Sequence, residues 1–326
     1  DSCVMSTNTA GSNGGAISNL TTGTLYLTSI IISGNTSGST GGGIYNNNSP
    51  AQLTNCLISG NLASAGGGIW NALSDAIIIN CTIAGNRATS QGGGIANGSS
   101  NPTIQNCVVY GNTGIPSGTN EFYNSGSTPV VEYSLIQGGY AGTGNVNADP
   151  LFVIPVAASF APTITGDYKV QKCSPVINAG NNPDIPAGIT TDLLGDARIN
   201  YVVVDMGAFE KTLAFAVSGI VYVDNTKNGD GSTWADALPS LADALLAARY
   251  NTSITAIWVA KGTYYPTYNA TNLASLACNV LNRDNAFVLV NDVKVYGGFV
   301  NGDTSLSERD HVNNLTILSG DMNGDN

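Results

Sequence analysis

The stretch GGGIYN at residues 41–46 decides the fold, because it returns with small changes along the first third of the chain. Its copies are GGAISN at 14–19, GGGIWN at 66–71 and GGGIAN at 92–97. The isoleucines of the four copies are Ile17, Ile44, Ile69 and Ile95. They are 27, 25 and 26 residues apart. A period in the twenties is typical of a solenoid, in which each repeat forms one coil.

A second motif follows each copy of the first. Its copies are LTSIIISGN at 27–35, LTNCLISGN at 53–61, INCTIAGN at 79–86, IQNCVVYGN at 104–112 and the degenerate VEYSLIQGG at 131–139. The asparagines that close the first four are Asn35, Asn61, Asn86 and Asn112. Both motifs are short β-rich runs between Gly, Asn and Ser, with nothing resembling a ten-residue helix. We therefore predict an all-β fold, a right-handed parallel β-helix, with its handedness taken from the general chirality of parallel crossovers and from the family resemblance described below.

Equivalent side chains should form ladders, because successive coils of a parallel β-helix stack about 4.8 Å apart. One such column is Ile30, Cys56, Cys81, Cys107 and Ser134. We interpret its three cysteines as buried free thiols, since stacked identical positions are poorly oriented for disulfides. Cys3, Cys173 and Cys278 are placed outside the column. The sequence leaves open whether two of them, such as Cys3 and Cys278, form a disulfide.

The composition argues against two classes of partner. Charged residues make up 10% of the chain, and the formal net charge is -11 with only 11 Lys and Arg. Nucleic acids and anionic membranes bind clustered basic residues, so neither is an expected partner. No apolar run of the length that crosses a bilayer is present, and the chain does not open with a basic and then apolar leader, so we predict that it does not span a membrane.

The chain beyond the repeats divides into two further regions. Residues 1–139 hold the coils, and residues 140–213 lose the period and gain charge and proline, as expected for a C-terminal cap. Residues 214–326 are interpreted as an N-terminal cap helix with the first coils of a further β-helix. Leu238, Leu241, Leu245 and Ala248 share one face of that helix, with Asp236 near its start.

Several segments carry a resemblance to a known family. DGSTWADALPSLADALLAA, IWVAKGTYYPT, VKVYGGFVNGDTSLSERD and TILSGDMNGD resemble the opening of β-helix domains in large surface proteins of the Bacteroidota. PTIQNCVVYGN, NADPLF, SPVINAGN, DLLGDARI and VDMGAFE resemble their closing part. The glycine and asparagine motifs also show a looser similarity to polymorphic outer-membrane protein repeats. In the family the opening precedes the coils, so the order here is permuted, as expected for one period of a tandem array.

The resemblance implies a secreted protein at the cell surface, with a structural or adhesive role in a long fibre or filament. The expected partners are neighbouring copies of the same repeat, because head-to-tail stacking would cover the raw ends of the coils. Surface glycans are a further candidate partner, since Tyr45 and Trp70 occupy one column and aromatic platforms bind sugars.

The alternative is a carbohydrate-active β-helix enzyme, a polysaccharide lyase or hydrolase. Glycoside hydrolysis needs two carboxylates roughly 5–9.5 Å apart. The acids of residues 1–139 are Asp1, Asp75, Glu121 and Glu132. No two of these acids fall in one column, and Arg87 is the sole base there. We therefore predict no catalytic residues and no enzymatic activity.

Calcium is the best metal candidate in the sequence. Asp321, Asn323 and Asp325 alternate in DMNGDN and supply the hard oxygen atoms that calcium prefers. Asp224, Asn228 and Asp230 form a second, weaker set within one turn. No other cofactor is expected.

Overall fold

Successive strands in the first part of the chain return to the same four sheets and form a parallel β-helix of about five turns. The computed structural model describes residues 3–20, 23–115, 120–200, 202–212, 219–269 and 284–321. The chain divides into two units, Asp1–Lys211 and Thr212–Asn326. The prediction of an all-β parallel β-helix, with one short α-helix among the described residues, is confirmed.

The four parallel sheets of the coils are called A to D. Sheet A consists of β1 (Cys3–Ser6), β5 (Ile30–Ser33), β9 (Leu57–Ser59), β13 (Thr82–Ala84), β17 (Val108–Tyr110) and β20 (Leu135–Ile136). Sheet B consists of β2 (Thr9–Ala10), β6 (Thr36–Ser37), β10 (Leu62–Ala63) and β14 (Arg87–Ala88). Sheet C consists of β3 (Ile17–Asn19), β7 (Ile44–Asn47), β11 (Ile69–Ala72), β15 (Ile95–Gly98) and β18 (Phe122–Ser125). Sheet D consists of β4 (Leu25–Thr28), β8 (Ala51–Thr54), β12 (Ile77–Ile79), β16 (Thr103–Gln105) and β19 (Val130–Glu132).

The register of sheet C stacks the motif isoleucines directly on one another. Ile44 pairs with Ile17 and with Ile69, and Ile69 pairs with Ile95. Ile44, Ile69 and Ile95 are fully buried, whereas Ile17 in the first coil is half-buried. Because side chains alternate between the two faces of a strand, the inward residues of sheets A, C and D form one continuous apolar core.

The first two glycines of the triplet are required for different physical reasons. Gly66 has a φ of +61°, a conformation that residues with a side chain rarely adopt. A Cβ on Gly67 would lie 2.5 Å from the carbonyl of Arg87 in the next coil. The first glycine is therefore required by its backbone conformation, and the second by the close approach of two coils.

The segment that follows the last coil returns along the side of the β-helix and covers the outer face of sheet A. It is called the covering segment, and its contacts with the coils extend from Thr163 to Ala208. Thr163 donates its N–H to the carbonyl of Gly60 at 3.0 Å, and Asn55 donates its side-chain amide to the carbonyl of Thr191 at 2.7 Å. The Ala208 N–H donates to the Thr82 hydroxyl at 3.0 Å. The outward residues of β9 and β13 are consequently buried together with the inward ones.

This arrangement differs from a cap that only closes the end of the coils. Residues near Val146 do close the last coil, since the Val146 N–H donates to the carbonyl of Ser134 at 2.9 Å. Beyond them, β21 (Phe152–Ile154) and β22 (Asp167–Val170) form an antiparallel pair. The physical reason for the lateral covering is the apolar outer face of sheet A, where Leu57 and Val108 require burial.

The described part of the second unit contains two small parallel sheets and one α-helix. Its strands are β23 (Gly219–Val223), β24 (Ile254–Ala260), β25 (Gly262–Tyr264), β26 (Lys294–Phe299) and β27 (Thr316–Leu318), and α1 (Leu241–Tyr250) connects the first two. The sheets are β23-β24-β26 and β25-β27. Ser240 caps α1 by accepting the Asp243 N–H, so Asp236 and Leu238 precede the helix.

The helix was predicted to be amphipathic, but every residue from Leu241 to Ala248 is buried. One side packs on β23 and β24, where Leu245 joins the core. On the other side, Tyr268 donates its hydroxyl to Asp243. The short Leu, Ala and Asp side chains of α1 therefore fit between two layers and do not face solvent on one side.

Candidate functional site

A ladder of asparagine side chains runs through the interior of the first unit. Its members are Asn8, Asn35, Asn61, Asn86 and Asn112. Each donates its side-chain N–H to the side-chain oxygen of the next at 2.9 Å, and that oxygen also accepts the donor's backbone N–H at 2.9 to 3.0 Å. Asn61, Asn86 and Asn112 use their second amide hydrogen on a main-chain carbonyl. Burial of these amides is therefore matched by hydrogen bonds.

A second ladder lies on the inner face of sheet C and was not singled out from the sequence. Asn19, Asn46, Asn71, Asn97 and Asn124 are linked in order by side-chain hydrogen bonds of 2.8 to 3.1 Å. The signal that would have found it is the asparagine closing every GGGIxN motif at the same period.

The thiols of the column formed by Cys56, Cys81 and Cys107 are buried and are not arranged for reaction. The Cys56 N–H donates to the Cys81 sulfur and the Cys81 N–H to the Cys107 sulfur, both at 3.4 Å, and the Cys107 N–H donates to Ser134 at 3.0 Å. All three thiols are free and fully buried. Hydrogen bonding to Cys81 and burial raise the pKa of Cys56, and burial raises the pKa of Cys81. Neither is a reactive thiolate at neutral pH.

Cys3 belongs to this column and was wrongly placed outside it. Cys3 pairs with Ile30, one coil before Cys56, and is exposed because it lies in the first coil. It is free, which excludes it from the disulfide that the sequence left open. Cys173 is disulfide-bonded. Cys278 lies outside the described residues.

A cluster of buried charged residues lies within the covering segment, on the outer side of sheet A. Arg198 forms an ion pair with Glu210 at 3.0 Å, and both side chains are almost completely buried. Arg198 also donates to the carbonyls of Asp205 and Gly207 at 2.9 Å. Asp192 accepts the Glu210 N–H at 2.8 Å. Three carboxylates therefore surround one guanidinium in a chain that is poor in charge.

Because three acidic groups share one cation in a buried place, the pKa values of two of these acids are raised. Burial and the neighbouring Asp205 raise the pKa of Glu210, while Arg198 opposes the shift. Burial also raises the pKa of Asp205. The residues of the cluster lie in the segments DLLGDARI and VDMGAFE. Both segments carry the family resemblance, but neither was predicted to form a site. The signal was the concentration of charge in a chain with 10% charged residues.

A cleft of about 440 Å³ lies beside the last coil. Its walls include Phe122 and Asn124 of β18, together with Glu121, Gln137 and Tyr140. The rings of Phe122 and Tyr140 are 5.1 Å apart between centroids and tilted by 58°. The Asn124 amide donates to the Tyr140 hydroxyl at 3.4 Å. The volume falls within the roughly 300–1,000 Å³ of small-molecule sites.

Glu121 occupies the place of the next asparagine at the end of the first ladder. Its two carboxyl oxygens accept the backbone N–H of Asn112 at 3.2 Å and the side-chain N–H of Asn112 at 2.5 Å. Burial raises the pKa of Glu121 to about 8. Burial therefore favours the protonated carboxyl group, whose two oxygen atoms both accept hydrogen bonds from Asn112.

The other candidates for chemistry lie apart. Asp75 sits in a turn and accepts the Asn101 N–H at 2.6 Å, whereas Arg87 lies in sheet B. On the outer face of sheet C, Trp70 pairs with Tyr45 and Ala96, and Ala96 pairs with Tyr123. The aromatic column therefore contains three rings interrupted by one alanine.

The calcium candidates are only partly within the described residues. Asp321 is described, whereas Asn323 and Asp325 lie outside the described ranges. In the second set, Asp224 accepts the N–H and hydroxyl of Thr226, and Asp230 accepts the Ser232 N–H. The part of the chain that the structure describes holds no group of three His, Cys, Asp or Glu residues suited to a metal ion.

Comparison with known proteins adds no family assignment. No protein-family profile matches the chain, and no curated protein matches it. Among the described residues, no helix is long and apolar enough to cross a membrane.

Proposed function

We propose that the chain is a structural or adhesive repeat unit of a long extracellular fibre, in which copies stack head to tail. The observation that carries this proposal is the open edge of the first coil. β1, β2, β3 and β4 each lie at the end of their sheet. In the second unit, β26 and β27 lie at the ends of theirs.

The composition of the first coil supports strand addition there. Exposed edge strands usually carry charged residues, proline or bulges that prevent pairing with another chain. The sequences of β1 to β4 are CVMS, TA, ISN and LYLT, which contain neither charge nor proline. An edge without such protection is a template for a further parallel strand.

The polarity of a parallel β-helix makes the contact head-to-tail. If all strands remain parallel and in register, a neighbouring copy can add strands before the first coil of this copy. Another copy can add strands after the last strands of the second unit. A contact between two different surfaces does not close on itself, so it propagates into a fibre. A carbohydrate-active enzyme has less support, because Asp75 and Glu121 lie in separate environments: Asp75 accepts the Asn101 N–H, whereas Glu121 is held by Asn112.

The edge can be tested by removing one donor from it. The Ile17 N–H donates to Gly43 in the next coil, so the N–H of the adjacent Ser18 points to the open edge. Ser18→Pro removes that donor, and edge strands tolerate proline. Ser18→Ala is the matched control.

Sedimentation velocity over a concentration series and negative-stain microscopy give the readout. We expect rods that lengthen with concentration for the unaltered chain and for Ser18→Ala, and single copies for Ser18→Pro. An unaltered chain that remains a single copy at every concentration contradicts the proposal.

A further inference from the structure

Both asparagine ladders end at the cleft beside the last coil. Each ladder asparagine donates its side-chain N–H toward the next coil, so the final member must find an acceptor of another kind. The first ladder ends on the buried carboxyl group of Glu121. The second ends on Asn124, whose amide meets the Tyr140 hydroxyl at 3.4 Å, longer than any step within that ladder.

The end of the second ladder is open to solvent. Asn46, Asn71 and Asn97 are fully buried, whereas Asn124 is exposed. Its long hydrogen bond to Tyr140 satisfies the amide poorly. The cleft therefore combines an amide donor and a carboxyl group with the two aromatic rings of Phe122 and Tyr140.

We propose that this cleft binds one ring of a neutral sugar. Aromatic rings pack against the apolar face of a pyranose, while its hydroxyl groups accept and donate hydrogen bonds to an amide and a carboxyl group. The proposal rests on the adhesive part of the proposed function and is independent of stacking, because the first coil lies at the opposite end of the ladders.

Other ligand classes fit the cleft less well. An anion would find no Lys, Arg or His among the described wall residues to balance its charge. A purely apolar ligand would remove water from the exposed Asn124 amide without offering a hydrogen bond in its place, which costs free energy. Within the molecule the rival sugar surface is the outer column of Tyr45, Trp70 and Tyr123, and the experiment separates the two.

Saturation-transfer NMR with methyl glycosides of glucose, galactose and N-acetylglucosamine tests the proposal, with methyl glucuronoside as the charged comparison. Tyr140→Ala and Asn124→Leu alter the cleft, and Tyr45→Ala is the matched aromatic control on the outer column. We expect at least one neutral glycoside to bind. We expect each cleft variant to weaken binding roughly tenfold, the effect of one lost aromatic contact or hydrogen bond. Tyr45→Ala should bind as the unaltered chain does.

A folding readout keeps the test decisive. Hydrogen exchange of β18 and β20 shows whether a variant has lost the last coil, and Tyr140→Phe retains the ring while removing only the hydroxyl. Absence of transfer to every neutral glycoside overturns the proposal, as does loss of binding in Tyr45→Ala with retention in Tyr140→Ala. Binding that persists in single copies of Ser18→Pro separates this site from the stacking proposal.

Discussion

Replacing Asn86 with alanine tests whether the interior asparagine ladder stabilises the coils. Asn86 lies in the middle of the first ladder and is fully buried. Its side-chain oxygen accepts the backbone and side-chain N–H groups of Asn61 at 3.0 and 2.9 Å. Its amide donates to the carbonyl of Ile58 and to Asn112, both at 2.9 Å.

The expected loss of stability follows from the buried polar groups that lose a hydrogen-bond partner in Asn86→Ala. Asn112 keeps the Asn86 backbone N–H, so its oxygen stays paired. Two N–H groups of Asn61 lose their acceptor, and the Ile58 carbonyl loses one donor. A buried polar group without its partner costs about 1–3 kcal/mol, so the two N–H groups of Asn61 alone should lower the free energy of unfolding of Asn86→Ala by ~2–6 kcal/mol.

Urea unfolding followed by hydrogen exchange of peptides from β9 to β14 measures the first unit separately from the second. Asn47→Ala is the matched control, because Asn47 is half-buried on the outer face of sheet C and should change stability by no more than about 0.5 kcal/mol. Equal effects of the two substitutions would refute the reasoning.

Three further predictions concern the charged groups and the thiols. Arg198→Met leaves buried carboxylates without their cation and should cost about 3 kcal/mol with faster hydrogen exchange over 192–210, whereas Lys169→Met, at an exposed ion pair, should cost less than about 1 kcal/mol. Folded Glu121 keeps a proton up to a pKa of about 8, while the unfolded chain releases it near 4.5. The free energy of unfolding should therefore fall as pH rises between these values, and Glu121→Gln should reduce that slope in pH-dependent urea titrations. At a concentration where the protein is a single copy, a thiol reagent followed by peptide mapping should label Cys3 in the folded protein and Cys81 only after unfolding, and rapid labelling of native Cys81 would contradict its burial.

The period of the motifs was enough to predict the register of the coils. Ile44 and Ile69 are 25 residues apart in the sequence and lie in direct register in sheet C. This works because every coil repeats the same backbone path, so equal spacing becomes equal position. The fold class follows from that repetition without any information on long-range contacts.

The covering segment and the cleft could not be predicted in this way. Asn55 meets Thr191 across 136 residues, and Thr191 belongs to a segment without a period. Glu121 directly precedes Phe122, which pairs with Ile95, so it stands where the preceding coil has Gly94, and only its side chain extends the ladder by accepting from Asn112. Both features depend on tertiary contacts that leave no repeated pattern in the sequence.

The most direct test of the account is hydrogen exchange of the side-chain amides, measured by NMR on the asparagines of both ladders. If equivalent residues of successive coils stack as described, the side-chain amide hydrogens of Asn61, Asn71 and Asn86 should exchange as slowly as the backbone amides of the core strands. Exchange of these side chains as fast as that of Asn47 on the outer face would contradict the stacked interior on which the fold and both proposals depend.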